Sequence, residues 1–556
     1  MKHLSTTERH IFGVIIVLVF ALILGGASYL YIQNTESVPA YGGEYHEGVV
    51  GLPRFINPVL LSTNDTDRDL VRLLYSSLLK YNKDGTLVPD LAKSYTISDD
   101  KKSYTFVLKE NLVWEDGTPL TTDDILFTVQ TIQDQRFASP LFPIWQGVDV
   151  AAPNNTTIIF TISTSYTAFI ENFTLPILPK HIWESIDHHN FALTELNLRP
   201  VGSGAFRFHS FTKNTEGVIT TYTLKRNNNN HSKKPYLDSI SLHFYATEQD
   251  AIRAYNARAV DGIASLSPIH KNEIQAQNAT TLYTMRLPRY FALFFNTTHN
   301  KTLQDINVRQ ALVHATNKQP ILQDILQGYA QDATTPIPPS ITSYYDTTVP
   351  VLGFDPERAI SLLNTAGWSE KDADGIRKKG TERLQFHVIV PQNKELLLVV
   401  DEIKKQWYTI GVALEVQPHD PEDITQNFIR TREYDILLYG ETLQMIPDPY
   451  PFWHSSQQEY PGLNFTTLAD DKVDTILEQA RFEIDEEKRK QLYNELQQTI
   501  VKDAIALFLY DPTYLHVLNN GIHNIQPKVI VDPSWRFLDI EQWHIKTKRV
   551  FQKTHL

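Results

Sequence analysis

No cysteine occurs anywhere in the 556 residues. That excludes disulfides, thiolate metal sites and a cysteine nucleophile, and it excludes a lipid anchor on an N-terminal cysteine. A basic patch is also missing. There are 51 Lys and Arg against 64 Asp and Glu, the formal net charge is -13, and no stretch gathers the positive residues. Phosphate neutralisation needs such clusters, so nucleic acid is not an expected partner. No His-Glu-x-x-His zinc motif is present. The Gly202-Ser203-Gly204 loop lacks the Gly-x-Ser-x-Gly spacing of a hydrolase nucleophile elbow, since Pro200-Val201 precede it. No Gly-Lys-Ser/Thr follows it to make a phosphate loop, and no internal repeat is found. What remains is an ordinary globular composition, 42% hydrophobic and 21% charged, in a chain long enough for two or three lobes.

One stretch lacks charge altogether. Residues 11–32 are almost wholly apolar at their start and carry no Asp, Glu, Lys or Arg. As a helix rising about 1.5 Å per residue they reach about 33 Å, enough to cross a hydrocarbon core of about 30 Å. Lys2 and Arg9 precede the run, so residues 1–10 are expected in the cytoplasm and the body outside. A signal peptide cleaved at Val38-Pro39-Ala40 is the alternative; the length of the run favours an uncleaved anchor, with residues 33–41 as a tether.

Beyond it, strand and helix patterns alternate, which points to the α/β class. Leu70, Leu73, Leu74 and Leu78 form a helical core stripe. Ser103 to Leu108 reads as a strand. Thr121 and Asp124 have capping-box spacing before Ile125, Val129 and Ile132. Tyr290 to Phe295 reads as a buried strand, followed by a polar loop and a helix carrying Val308, Ala311, Leu312 and Ala315, with Asp305 or Asn307 placed to cap it. Lying near mid-chain, this unit reads as a crossing between lobes. Asp355-Pro356 starts a helix that Gly367 ends. Leu384 to Val390, Val412 to Val416, Tyr434 to Leu438 and Ala504 to Tyr510 read as strands, and Asp470 to Gln498 as helical.

Six motifs stand in one order: Phe55-Ile56-Asn57-Pro58; Leu87-Val88-Pro89-Asp90-Leu91-Ala92; Trp114 to Asp124; Pro200-Val201-Gly202-Ser203-Gly204; Asn307-Val308-Arg309-Gln310-Ala311-Leu312; and Ala366-Gly367-Trp368. Together, from about Gly42 to Trp543, the chain resembles the bacterial extracellular solute-binding proteins of the oligopeptide, dipeptide and nickel type (family 5) that serve ABC importers. The resemblance implies a two-lobed, type II-like clamshell of the periplasmic-binding-protein kind, with an extra small domain on the first lobe. The first lobe would take residues 42–80, the extra domain 81–199, the first lobe again 200–295, the second lobe 296–503, and the return and tail 504–556. It implies no enzyme activity and no cofactor. A peptide or similar solute lies between the lobes, and the permease with its ATPase subunits is the partner of a monomer.

The same resemblance locates candidate ligand contacts. Peptide binders of this family often hold the α-amino group with an aspartate in the loop after the strand seen here as Tyr434 to Leu438. Gln444 or Met445 takes that place, neither is acidic, and Glu441 is the nearest carboxylate able to substitute. Asp448 is read as shaping the turn. Ser62, Thr63 and Asn64 offer loop contacts, Thr442 lies in the Glu441 loop, and Tyr290, Tyr439, Trp453 and Tyr510 are candidate aromatic walls. His181, Glu184 and His188, with His189 beside them, have the spacing of a helical metal face, but a surface histidine is the preferred reading, so no metal site is expected. Two other functions stay open: an exported hydrolase of peptides or glycans, and a clamshell sensor or chaperone without transport.

Overall fold

The computed structural model describes residues 6–61, 64–275, 277–526 and 528–551. Its two lobes share one twelve-stranded sheet joined through a single long strand, Ala506–Asn519. The first part of that strand pairs with Arg289–Phe295 and the last part with Thr280–Arg286. Only Leu287-Pro288 separates those two partners, and Asp511-Pro512 lies opposite. Proline has no ladder donor, and at this level the long strand pairs not with Leu287-Pro288 but with the short strand Ala330–Asp332.

On one side of this junction lie Arg289–Phe295, Ile436–Thr442, Gln385–Pro391 and Ala413–His419. On the other lie Gly262–Ile263, Glu44–Val50, Ser239–Tyr245, Ile219–Arg226 and Phe206–Lys213. The cores divide at the same place. One core draws on Tyr45 to Leu287 and again on Tyr514 to Trp543, with a smaller one beside it on Ala251 to Ile274, Leu515 and Val517, while two further cores draw on Tyr290 to Tyr510. Strand alternation explains why the second lobe has two. Leu293 and Phe295 face one core and Tyr290, Ala292 and Phe294 the other, so this strand is covered on both faces.

A four-stranded antiparallel sheet, with Ala92–Ile97 and Asp149–Asn154 at its edges, forms the extra domain. Phe106, Phe160, Phe173 and Trp145 pack under it, with Phe106 and Phe173 centroids 4.6 Å apart.

Local chemistry sets the helix ends as the sequence predicts. Asp305 accepts from Asn307 N at 2.9 Å, Thr121 and Asp124 form both halves of a capping box, and Asp355 caps a helix with Pro356 in its first turn. Gly202 answers a close approach. A Cβ there would stand 1.9 Å from the Leu74 carbonyl oxygen, so only glycine lets the loop lie on the end of the Asp65–Leu74 helix.

Four expectations need correction. Residues 33–41 are not a free tether: the helix Thr6–Asn34 runs straight into the strand Thr35–Pro39, which pairs with Thr547–Phe551 near the C-terminus. The strand expected at Tyr434 to Leu438 runs Ile436–Thr442, because Arg289–Phe295 pairs with its whole length. The return strand does not end at Tyr510 but continues to Asn519 into the first lobe. Helix 470–498 is two helices, Asp471–Phe482 and Glu486–Lys502, the second capped by Asp485.

Candidate functional site

The Asp65–Leu74 helix positions the site. Its leucines 70, 73 and 74 are buried, and Arg68 and Arg72, four residues apart, share another face. Arg536 of the Pro533–Phe537 turn holds this helix. Arg536, fully buried, bonds Asp69 through both nitrogens at 2.6 Å and Glu47 at 2.7 Å. Trp535 lies beneath Arg72, whose guanidinium carbon stands 3.5 Å from the ring centroid.

A cavity of about 220 Å³ lies between the first lobe and its extra domain, at the point where the second lobe reaches them through Gln444. Arg68 and Arg72 line it from the helix, Trp145 and Glu171 from the extra domain, Asp532 and Trp535 from the C-terminal region, and Gln444 from the second lobe. Arg68 is 3.6 Å from Asp65. Asp532 is engaged by Ser534, whose N and Oγ donate at 2.9 and 2.6 Å. Glu171 is buried and accepts from the Ile446 backbone amide at 2.8 Å, a direct bond between the lobes. Burial pushes its carboxyl up to about 8, so it is protonated at neutral pH. Thr167 Oγ1 donates to Glu483 O and Lys101 Nζ to Ile484 O, both at 3.2 Å, two more bonds between the extra domain and the second lobe.

A second cavity, about 200 Å³, lies within the second lobe against Lys318, Asp332 and Phe354. Its lysine is already ion-paired with Asp332 and donates to Ala333 O.

Of the sequence-predicted contacts, the cavity brings in Gln444. Glu441 does not reach it. It sits on a strand opposite Tyr290, is 2% exposed, and accepts the Tyr290 hydroxyl within the second-lobe core. Burial raises its carboxyl well above the ordinary range, as for any carboxyl enclosed in a core. Tyr290 and Trp453 are core residues as well, packed with Phe508. Tyr510 is buried against Phe291 and donates to Glu395 at 3.2 Å. Thr442 accepts from Arg289 Nε at 2.8 Å, and Tyr439 packs edge-on to Phe465. Asn64 is a helix cap, accepting from Thr66 and Asp67 and donating to Leu52 O, so its polar atoms serve the fold. Ser62 and Thr63 lie outside the described residues.

His181 turns to Asp116 at 2.9 Å, away from His188. Asp187, His188 and His189 do cluster, but on an exposed four-residue helix start.

Sequence reasoning missed Arg68, Arg72, Glu171, Trp145, Asp532 and Trp535. The arginine pair carried a signal, a polar stripe opposite the leucines of the same helix. Trp535 and Glu171 carried none, because only the tertiary fold brings them beside residue 72.

The profile of the bacterial extracellular solute-binding proteins, family 5 (middle region), matches residues 86–462. The chain is 24% identical over 540 residues to the oligopeptide-binding protein AppA of Bacillus subtilis, covering 95% of this chain and 97% of that one. It is 26% identical over 506 residues to a dipeptide-binding protein of Pseudomonas aeruginosa, covering 86% and 91%. Among solved structures, the ABC transporter substrate-binding protein CtaP of Listeria monocytogenes superposes with a TM-score of 0.79 at 26% identity, over 91% of this chain and all of the other.

Proposed function

The chain belongs to the bacterial extracellular solute-binding proteins of family 5, and from that premise we propose that it is the receptor of an ABC importer, enclosing a peptide or similar small solute between its lobes. The observation that carries this reading is the cavity, whose walls come from the helix, the extra domain, the C-terminal region and the second lobe. A solute touching all of them binds fully only when the lobes are closed, so it shifts the population toward the closed form that a permease would recognise. Closure pivots at Leu287-Pro288 and Asp511-Pro512, where both connections between the lobes run side by side.

The same reading keeps the body on the membrane. Phe12–Asn34 has a mean hydropathy of 2.5 and no residue buried against the body, and 23 residues span about 34 Å. Arg549 reaches back to Ile32 O at 3.4 Å and Thr35 Oγ1 at 3.0 Å, placing a cation at the helix's C-terminal carbonyls. Cleavage after Ala40 would remove the partner of Thr547–Phe551, which supports a retained anchor.

The test is to purify the chain natively, denature it, and identify released molecules by mass spectrometry. A small solute released in stoichiometric amount is expected. Failure of any released or added solute to bind would count against a receptor.

A further inference from the structure

We infer that the solute is an acid, held by its carboxylate on Arg72 where the guanidinium lies stacked on Trp535. The inference rests on the receptor reading above and adds the ligand's chemical class.

Arg72 is the cavity's cation without a bonded carboxylate; Asp532 and Asp90 attract it only through space. It has five N–H donors in a planar fork. Among the described residues it makes no hydrogen bond and no ion pair, and its Nε is buried without a partner. Its one specific contact is the Trp535 ring, at 3.5 Å. Stacking fixes the plane of the fork without using its donors. A half-buried guanidinium with its Nε enclosed and unbonded is costly, and an oxyanion is the group that satisfies it, two parallel N–H bonds to two oxygens.

Among the described residues no neighbouring carboxylate bonds it, and Asp532 attracts it only through space. Asp65 stands beside Arg68, and Asp532 is bonded to Ser534. Glu171 is occupied by the Ile446 amide. The neighbouring arginines of the chain show the contrast: Arg536 lies between two carboxylates, and Arg289 bonds Thr442. Among the described residues no lobe II carboxylate lines the cavity to receive an amine; Gln444 stands there. The arrangement selects for a carboxylate first. At about 220 Å³ the cavity lies below the range of about 300–1,000 Å³ typical of drug-sized ligands, so the solute is small.

The test uses thermal shift on the purified full chain with three probes: a dipeptide mixture, the same mixture as methyl esters, and a mixture of amine-free carboxylic acids. An upward shift with either free-acid pool, absent with the esters, supports the inference; which pool acts tells whether the carboxylate belongs to a peptide or a simple acid. In Arg72→Met the acid response should weaken about 10- to 100-fold in ligand concentration, as for loss of a charged hydrogen-bonding pair. The same variant should be no less stable than wild type without ligand, because it removes a half-buried charge without a bonded carboxylate; an arginine serving only the fold would leave it less stable. Esters that act as well as the acids, or an Arg72→Met chain with an undiminished response, would overturn the acid assignment and leave the receptor standing. No shift with any pool would overturn the receptor reading and this inference with it.

Discussion

The carboxyl of Glu171 and the backbone amide of Ile446 meet at 2.8 Å, 275 residues apart in sequence, and tie the extra domain to the second lobe. Burial raises Glu171 to about 8, whereas a solvated glutamate titrates near 4.5. The raised value sets the sign. Closure is favoured most below about 4.5 and loses ground as pH rises toward about 8, because ionising the buried acid costs more than ionising it in an open cleft. Solute affinity, measured by calorimetry between pH 5 and 8.5, should therefore fall with pH. Glu171→Gln keeps the acceptor oxygen and removes the titration, so its profile should be flatter.

Removing the Arg536 guanidinium should be severe. Arg536→Met leaves Glu47 and Asp69 buried without their cation, and breaking such a group costs about 3–5 kcal/mol. Urea denaturation would read this as a lower midpoint. Near the same cluster, His516 is fully buried and burial lowers it to about 4. Its folded value lies below the unfolded one of about 6.5, so the stability it lends is present above pH 6.5 and is lost as pH falls toward 4. His516→Leu should resist acid in that window better than wild type.

Gly202→Ala should destabilise by about 3 kcal/mol or more, since the added carbon meets the Leu74 carbonyl oxygen at 1.9 Å and backbone must move. Gly117→Ala, where the added carbon meets nothing, tests φ strain alone and should cost less; thermal unfolding compares the two.

Beginning the chain at Tyr41 should expose the C-terminal strand. Without Thr35–Pro39, the Thr547–Phe551 strand has lost its pairing. Carboxypeptidase digestion followed by mass measurement should trim the shortened chain to about residue 546, and should stop earlier in a chain that starts at Thr35.

Local punctuation was legible in the sequence and tertiary facing was not. Asp305, Thr121 with Asp124, and Asp355-Pro356 act through backbone bonds within three residues, so spacing alone reveals them. Glu441 shows the limit. Four residues of additional strand turn it from a loop acid into a core acid, and that extension depends on pairing with Arg289–Phe295, some 150 positions earlier. The interruption Leu287-Pro288 was visible, but its meaning waited on the strand from Ala506 that lies across it. Arg72 is the sharpest case. The leucine stripe marked its helix as core, and only Trp535 and the cavity mark the other face as a site.

The lack of native cysteine makes one measurement clean. With Asp99→Cys on the extra domain and Glu487→Cys on the second lobe, both exposed and on opposite sides of the contact where Lys101 meets Ile484, a spin label on each reports the gap between the lobes. A broad, longer distance is expected without solute and a single shorter one when the free-acid pool is added, with no such change in Arg72→Met. A distance that stays the same while solute binds would contradict closure around the cavity.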